Sequence, residues 1–521
     1  MAVSGRRSGT LPRIPNHELV LELEEPPVAD RSSADTAKPS HPRDAGDVKR
    51  WHREADVVIV GAGGAGVCAA LEARATGASV LVLERAWKGG GTSAQASGQL
   101  YMGGGTPLQK ACGFEDDPEE MYKYLMASCG PGADAEKIRL YCERSVEHYH
   151  WITGRGVPFK QTYLPVEVGT DPYTDDGLSY TGSELAYPFC EIAKPAPRGH
   201  TAQQVGENAG GMMMELLLGQ LAPAGVEVQT DALCEPLIQD REGRVVGVVA
   251  AVGGEEQCIR ARRGVLLTAG GYVHNKKMLE RYAPVTRRVR FRLGCDGDDG
   301  RGIRMGMGVG GDAIRMEAAC IVVPFSRNRR FVKGVLVNAA GQRFCAEDLY
   351  QSLLGEIGMW RQDARIWLVL DDALFEKPQL PTEILAVGDT FEELEAEAKI
   401  FPEGSLVQTL ARYNEDAARG HDSLFRKDAR WLQPLATPPY VVLDLSLEKY
   451  PFWSAFTLGG LHTRPTGEVL DPDGDVVPGL YAAGRNASGM PAHGYNSGLS
   501  LADATFSGRL AGIAAARFTS S

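Results

Sequence analysis

What this chain of 521 residues lacks narrows its function before any motif is read. No apolar stretch approaches the roughly 18 residues that span a bilayer, so no membrane span is expected. The ten cysteines are scattered without one C-x-x-C pair. That removes a zinc knuckle, another metal site of that kind or a disulfide framework, and leaves reduced, buried thiols in a cytoplasmic protein as the expectation. Positive charge is in the minority: 55 Lys and Arg against 67 Asp and Glu give a formal net charge of −12. An acidic surface argues against nucleic acid or anionic membranes as partners. Arg6-Arg7 precedes no apolar run, because Pro12, Pro15, Glu18, Glu22 and Glu24 interrupt the stretch after it, so a twin-arginine leader is rejected. Residues 1–50, rich in Pro, Ser, Asp and Arg, are expected to form a disordered tail without a catalytic role. No internal repeat is present. Hydrophobic content of 43% still allows large cores in one to three domains.

What is present begins at Asp56-Val-Val-Ile-Val60, a β-branched run that reads as a buried strand. It enters Gly61-Ala-Gly63-Gly64-Ala65-Gly66 and then the helical pattern Val67-Cys-Ala-Ala-Leu-Glu-Ala-Arg-Ala. A second apolar strand, Ser79-Val-Leu-Val-Leu83, ends in Glu84, which lies 18 positions beyond Gly66. This is G-x-G-x-x-G in its full strand–turn–helix–strand setting, with a terminal acid near the expected spacing of about 20. Gly61 permits the turn, Gly63 lets a pyrophosphate approach the backbone, and Gly66 lets helix pack on strand. The helix N-terminus offers free N–H groups to phosphate. Glu84 can accept from both ribose hydroxyls, with Arg85 beside it.

Further cofactor contacts are expected from the glycine-dense loop after Glu84, through Gly91, Thr92, Ser93 and Gly98. Two more strands end in small-residue turns, at Ala269-Gly270 and at Gly484-Arg485. A cofactor touched by such widely separated segments is FAD rather than NAD. Here the chain resembles the fumarate reductase and 3-ketosteroid dehydrogenase superfamily of flavoproteins, from about Asp56 to Ala515. The resemblance implies an α/β fold: a discontinuous Rossmann-like FAD-binding domain, with an inserted α+β capping domain over the flavin. The cofactor domain is expected at 51–282 and 456–521, and the capping domain at 283–455. No histidine stands in Gly91-Thr-Ser-Ala-Gln to tether the flavin, so FAD is expected to be noncovalent.

The reaction is read from Gly484-Arg-Asn-Ala-Ser-Gly-Met-Pro-Ala-His-Gly-Tyr495-Asn-Ser497-Gly498. Dicarboxylate reductases of this superfamily place arginines here, since guanidinium clamps carboxylate. This chain has Tyr495 near that position, and Ala455-Phe456 before its Thr457-Leu-Gly-Gly460 turn. A small dianion would bind an uncompensated site, whereas a bulky apolar ketone would not. Within the superfamily the chain resembles the 3-ketosteroid Δ4-(5α)-dehydrogenases in three strings: Gly103 to Glu115, Lys194 to His200, and Gly494-Tyr495-x-Ser497-Gly498. That resemblance implies oxidation of a saturated 3-ketosteroid, with the C4 proton lost, hydride passing from C5 to flavin N5, and an unnamed electron acceptor. Tyr495 is expected to accept the proton and Ser497 to relay it. A free phenol has a pKa of about 10, so a concerted transfer is favoured over a standing tyrosinate. Ser500 and Leu501 would start a helix aimed at flavin N1/O2. Tyr101, Gly498 and Phe325 are expected to line the substrate pocket. His200 and His493 read as backbone hydrogen-bond partners. The relatives place a further tyrosine on the cap, and Glu317 to Phe325 contains none. Two other functions remain open: another steroid regiochemistry or an ene-reductase running the same flavin chemistry in reverse, and a non-catalytic flavin carrier.

Overall fold

Val57, Val58, Ile59 and Val60 expose no polar side chain to either face, which suits a strand covered on both sides. They form the second half of β1 (Arg53–Val60), inside a nine-stranded sheet. The computed structural model describes residues 36–165, 174–205 and 208–518. From β1 the chain turns into helix α1 (Gly64–Ala75) and returns along β2 (Val80–Leu83), parallel to β1 with Val57 opposite Val80. On the other side of β1 lies β3 (Glu255–Leu267), also parallel. The end of β3 pairs with β4 (Val476–Ala482), which the chain reaches only after a long excursion. The first body is therefore a discontinuous Rossmann-like domain.

The excursion is the cap. Its four-stranded antiparallel sheet runs Val335–Asn338, Ile366–Asp371, Tyr440–Asp444 and Glu383–Gly388 in that spatial order. Helix α2 (Gln351–Arg361) lies against the strand Ala319–Val322, so closely that a Cβ on Gly355 would sit 2.3 Å from Ile321 O. That strand pairs with Ser454–Thr457, where the chain leaves the cap. Helices Lys276–Tyr282 and Arg301–Gly308 instead bury Met278, Leu279, Ile303 and Met305 with Val58, Val265 and Leu480. The expected boundary at 283 thus falls inside the packing of the first body.

Two features set the cleft between the bodies. The terminal helix α3 (Leu499–Arg517) crosses α1 through small residues. A Cβ on Gly508 or Gly512 would lie 2.3 Å from the carbonyl oxygen of Ala65 or Ala69. Only glycine allows that approach, and it brings the N-terminus of α3 beside the glycine turn. The second feature is a correction to the expected tail. Arg43–Asp44 pairs with Ala232–Gln239 at the sheet edge, and Arg304 Nε donates to Lys38 O at 2.8 Å. Residues 36–50 are thus fastened to the domain by backbone hydrogen bonds, while 1–35 lie outside the described residues. Among the described residues no helix is long and apolar enough to cross a membrane.

Candidate active site

A cleft of about 730 Å³ runs between the two bodies. Its cofactor end is shaped by glycines that meet three different steric demands. Gly61 has φ +102°, and a Cβ there would meet Thr268 O at 2.7 Å. Gly66 faces inward, where a Cβ would lie 2.0 Å from Gly61 O, so it serves helix–strand packing rather than the lining. A Cβ on Gly63 would meet nothing nearer than Gly90 O at 4.0 Å, so this backbone is open to the cleft. Gly64 and Ala65 line the same stretch, and Gly64 N donates to Ser93 Oγ at 3.1 Å. Glu84 is buried at the end of β2 and accepts from Ala62 N and Ala86 N, both at 2.8 Å. Each of its oxygens keeps a lone pair for a ribose hydroxyl. This cradle of open backbone, helix N-terminus and terminal acid fits the pyrophosphate and ribose of a dinucleotide.

The walls around the cradle are neutralised by local pairing. Arg85 pairs with Asp299 at 2.9 Å, and Arg301 pairs with Glu235. Asp298 gathers the loops: it accepts from Arg485 Nη2 at 2.5 Å, Thr92 Oγ1 at 2.9 Å and Gly271 N at 3.1 Å. Gly91, Ala269, Gly270 and Gly484 line the same region. The structure thus brings together the expected cofactor residues, with one exception besides Gly66. Gly98 (φ +72°) does not line the cleft but abuts Ala209, whose backbone would lie 2.5 Å from a Cβ.

At the other end Tyr495, Ser497 and Gly498 reach the cleft from the loop before α3. Gly498 has φ +86° and is the residue preceding the helix, so the chain can reverse there without a Cβ penalty. The Tyr495 hydroxyl accepts from Ser500 N at 3.4 Å, in the first turn of α3, beside Leu501. Phe456 packs edge-on against the Tyr495 ring at 5.2 Å. Burial holds the phenol well above its ordinary range, with the Ser500 N–H and Arg485 pulling the other way.

Sequence reasoning missed the residue opposite. Tyr350, at the start of α2, lines the cleft from the cap. Burial, and then the neighbouring Cys320, push its phenol up, and the nearby Ser497 side chain offsets part of this. The cap therefore does place a tyrosine on the cleft, some 25 residues beyond Phe325, where α2 rather than the strand Ala319–Val322 supplies it. Its only sequence signal is the buried-charge string Arg343-Phe-Cys-Ala-Glu347-Asp348 before it. Cys320, Val322, Pro324, Gln351 and Leu380 also line the cleft from the cap and carry no charge, while Arg292 lines it from a strand paired with Ser454–Ala455.

Two substrate-pocket expectations need correcting. Tyr101 is fully buried and donates to Glu184 Oε1 at 2.9 Å, because β-pairing with Gly199 turns it into the interior. Phe325 joins the cap's hydrophobic core, and its neighbour Pro324 takes the place on the lining. The strings Gly103 to Glu115 and Lys194 to His200 also lie off the cleft. They hold each other through a Thr106–His200 hydrogen bond at 2.8 Å, and Arg198 pairs at 2.7 Å with buried Asp116, the residue just after the first string. His200 is fully buried, and desolvation lowers its pKa to about 4. His493 faces Glu317 at 3.3 Å.

Comparison with known proteins agrees with this geometry. A family model described as the FAD binding domain matches residues 56–501. The solved 3-ketosteroid-Δ4-(5α)-dehydrogenase of Rhodococcus jostii RHA1, in complex with 4-androstene-3,17-dione, is 44% identical with a TM-score of 0.86. The alignment covers 92% of this chain and all of that one. A 3-oxo-5-alpha-steroid 4-dehydrogenase of Comamonas testosteroni is 29% identical over 84% of this chain and 94% of its own length. A 3-oxosteroid 1-dehydrogenase of Mycolicibacterium smegmatis is 28% identical over 85% and 94%. With its glycine cradle, its inserted cap and a family match over most of its length, the chain belongs to the FAD binding domain family of flavoproteins.

Proposed function

We propose that this protein is an FAD-dependent 3-ketosteroid dehydrogenase that introduces the C4–C5 double bond into a saturated 3-ketosteroid. The observation that carries the reading is that the uncharged cap residues Cys320, Val322, Pro324 and Leu380 line one cleft with the hydroxyls of Tyr495, Ser497 and Tyr350. Three hydroxyls against an apolar wall suit a ketone on a hydrocarbon frame. A dicarboxylate against those uncharged residues would carry a large desolvation cost. The 44% identity to a protein solved with a 4-ene-3-ketosteroid supports the same substrate class.

Bound FAD supplies the acceptor for the hydride that leaves C5. The chain's own residues handle the ketone and the proton. Loss of the C4 proton requires a hydrogen-bond donor at the C3 oxygen, where negative charge grows. Tyr495 suits that role, since burial keeps it protonated and Ser500 N–H occupies its oxygen, which leaves its own O–H available to the cleft. Ser497 suits the proton, because Tyr350 lines the same cleft close by and supplies an onward path. Both phenols keep their protons at neutral pH, so transfer is concerted along Ser497 and Tyr350. This division of labour moves the head of the relay from Tyr495 to Ser497. The ten unpaired thiols fit a cytoplasmic enzyme, reoxidised by a separate electron acceptor.

Anaerobic mixing of the FAD-loaded protein with a saturated 5α-3-ketosteroid tests the reading. Bleaching of the oxidised-flavin absorbance, with a 4-ene-3-ketone as product, is expected. No bleaching, together with reoxidation of the reduced protein by enones, would overturn it in favour of an ene-reductase.

A further inference from the structure

The two ends of the proton relay belong to different bodies, Ser497 to the C-terminal loop and Tyr350 to the cap. One short segment touches both. Thr181 and Ser183 are buried behind the cleft and contribute nothing to its lining. Thr181 O accepts the Ser497 N–H at 2.9 Å, and Thr181 Oγ1 donates to Ser497 O at 3.1 Å. Two hydrogen bonds thus grip the Ser497 backbone. Two residues on, Ser183 Oγ accepts the Tyr350 N–H at 2.9 Å, across the domain boundary. The Ser183 N–H donates to Tyr124 Oη at 2.8 Å, and that phenol donates to Asn496 Oδ1 at 2.7 Å, next to Ser497. Asn496 is itself buried and donates to Ser128 Oγ at 2.8 Å. Between these contacts Gly182 has no room for a side chain, since a Cβ would meet Tyr124 Oη at 2.2 Å and Asn496 Oδ1 at 2.3 Å. Groups buried this way lose their partners only at a desolvation cost, so the arrangement is stiff.

We propose that Thr181–Gly182–Ser183 is a latch that sets the spacing of Ser497 and Tyr350, which makes Ser183 a positioning residue for proton removal. The inference rests on the functional reading above and adds what that reading leaves open, namely how two hydroxyls on separate bodies are kept near each other before substrate arrives. Misplacement of a reacting group by about 1 Å costs on the order of 100-fold in rate, so the spacing has to be held.

Ser183→Ala removes the acceptor of the Tyr350 N–H and little else. The first readout needs no substrate: amide hydrogen exchange in the FAD-loaded protein, followed by mass spectrometry. Exchange of the peptide spanning Tyr350 is expected to rise about tenfold or more, with the glycine turn after β1 unchanged. The second readout is the rate of flavin bleaching by a saturated 3-ketosteroid. It is expected to fall about tenfold, with KM within about twofold and flavin content unchanged. Ser183→Thr keeps the oxygen and is expected to hold both readouts near wild type. If Ser183→Ala does not accumulate in folded form, Tyr124→Phe opens the latch from its other side, with the exchange rise then expected over Tyr495 to Gly498. Unchanged exchange in these peptides overturns the latch, and so does raised exchange with an unchanged bleaching rate. A wild-type protein that no 3-ketosteroid bleaches would defeat the functional reading instead, and the exchange arm would still decide whether the latch exists.

Discussion

The cofactor wall of the cleft is shaped by backbone and the cap wall by side chains, and the two depend on different parts of the sequence. On the first wall, three glycines within six residues fix the turn, the opening to the cleft and the contact of α1 with β1. On the second, Tyr350 is carried by a chain segment anchored in a buried ion cluster. Arg343 donates to Glu347 at 3.1 and 2.8 Å and to Asp422 at 2.9 and 3.0 Å. Lys427 approaches Glu347 at 3.2 Å, and all four charged side chains are buried. A backbone wall is written in local sequence; a side-chain wall needs partners 79 residues apart.

The sharpest way to break the comparison is within the backbone wall. Gly66→Ala puts a Cβ 2.0 Å from a carbonyl oxygen that cannot move aside, whereas Gly63→Ala points one into open space. Gly66→Ala is expected to lose about 3 kcal/mol or more of stability and to accumulate poorly, by thermal unfolding. Gly63→Ala is expected to fold with near-wild-type stability and to bind FAD more weakly, by flavin titration.

The matching break in the cap wall is Arg343→Met. It leaves buried Asp422 without its cation and Glu347 with Lys427 alone, and an expected loss of about 3–5 kcal/mol is read from the denaturant midpoint. If FAD is retained while the cap loosens, the two walls are independent, as their construction implies.

The hydroxyls are expected to act as a unit. Tyr350→Phe and Ser497→Ala should each lower the flavin-bleaching rate by about 10²- to 10³-fold with little change in FAD content. The double variant should fall far short of the product of the two, because both remove the same relay. Additive losses would mean that they serve separate steps.

The smallest expected effects are on pH. Each wall holds a carboxyl raised strongly by burial: Asp503 in α3, pushed up to about 6, and Glu356 in α2, pushed up to about 8. A raised acid binds its proton more tightly in the folded state, so stability falls as pH rises from the unfolded pKa to the folded one. Asp503 should therefore erode stability between about pH 4 and 6, and Glu356 between about pH 4.5 and 8. Asp503→Asn and Glu356→Gln should flatten their own windows in pH-dependent melting and leave the other in place.

The same contrast explains what was legible in the sequence. The cradle from Gly61 to Glu84 was readable because each glycine answers a steric demand made by residues close in the chain. Tyr495 and Ser497 were readable because they share one loop with Gly498 and the start of α3. Tyr350 was not, since nothing local distinguishes it from the other buried tyrosines; its place is set by α2 and by Ser183 and Asp422 from distant segments. Tyr101 was misjudged for the converse reason: it lies just after the glycine-rich cofactor loop, yet strand pairing turns it inward toward Glu184. The unusual strings that carried the family resemblance scaffold the site rather than line it, since Asp116 and Arg198 satisfy each other away from the cleft.

The most direct test of the account follows the C4 proton. A 5α-3-ketosteroid deuterated at C4 is mixed anaerobically with the FAD-loaded wild type and with Ser497→Ala, and flavin bleaching is recorded by stopped flow. The account predicts a clear C4-deuterium slowing in the wild type and a bleaching rate at least about 100-fold lower in Ser497→Ala, with FAD still bound. Equal rates in the two proteins, or a wild type that this ketone does not bleach, would contradict it.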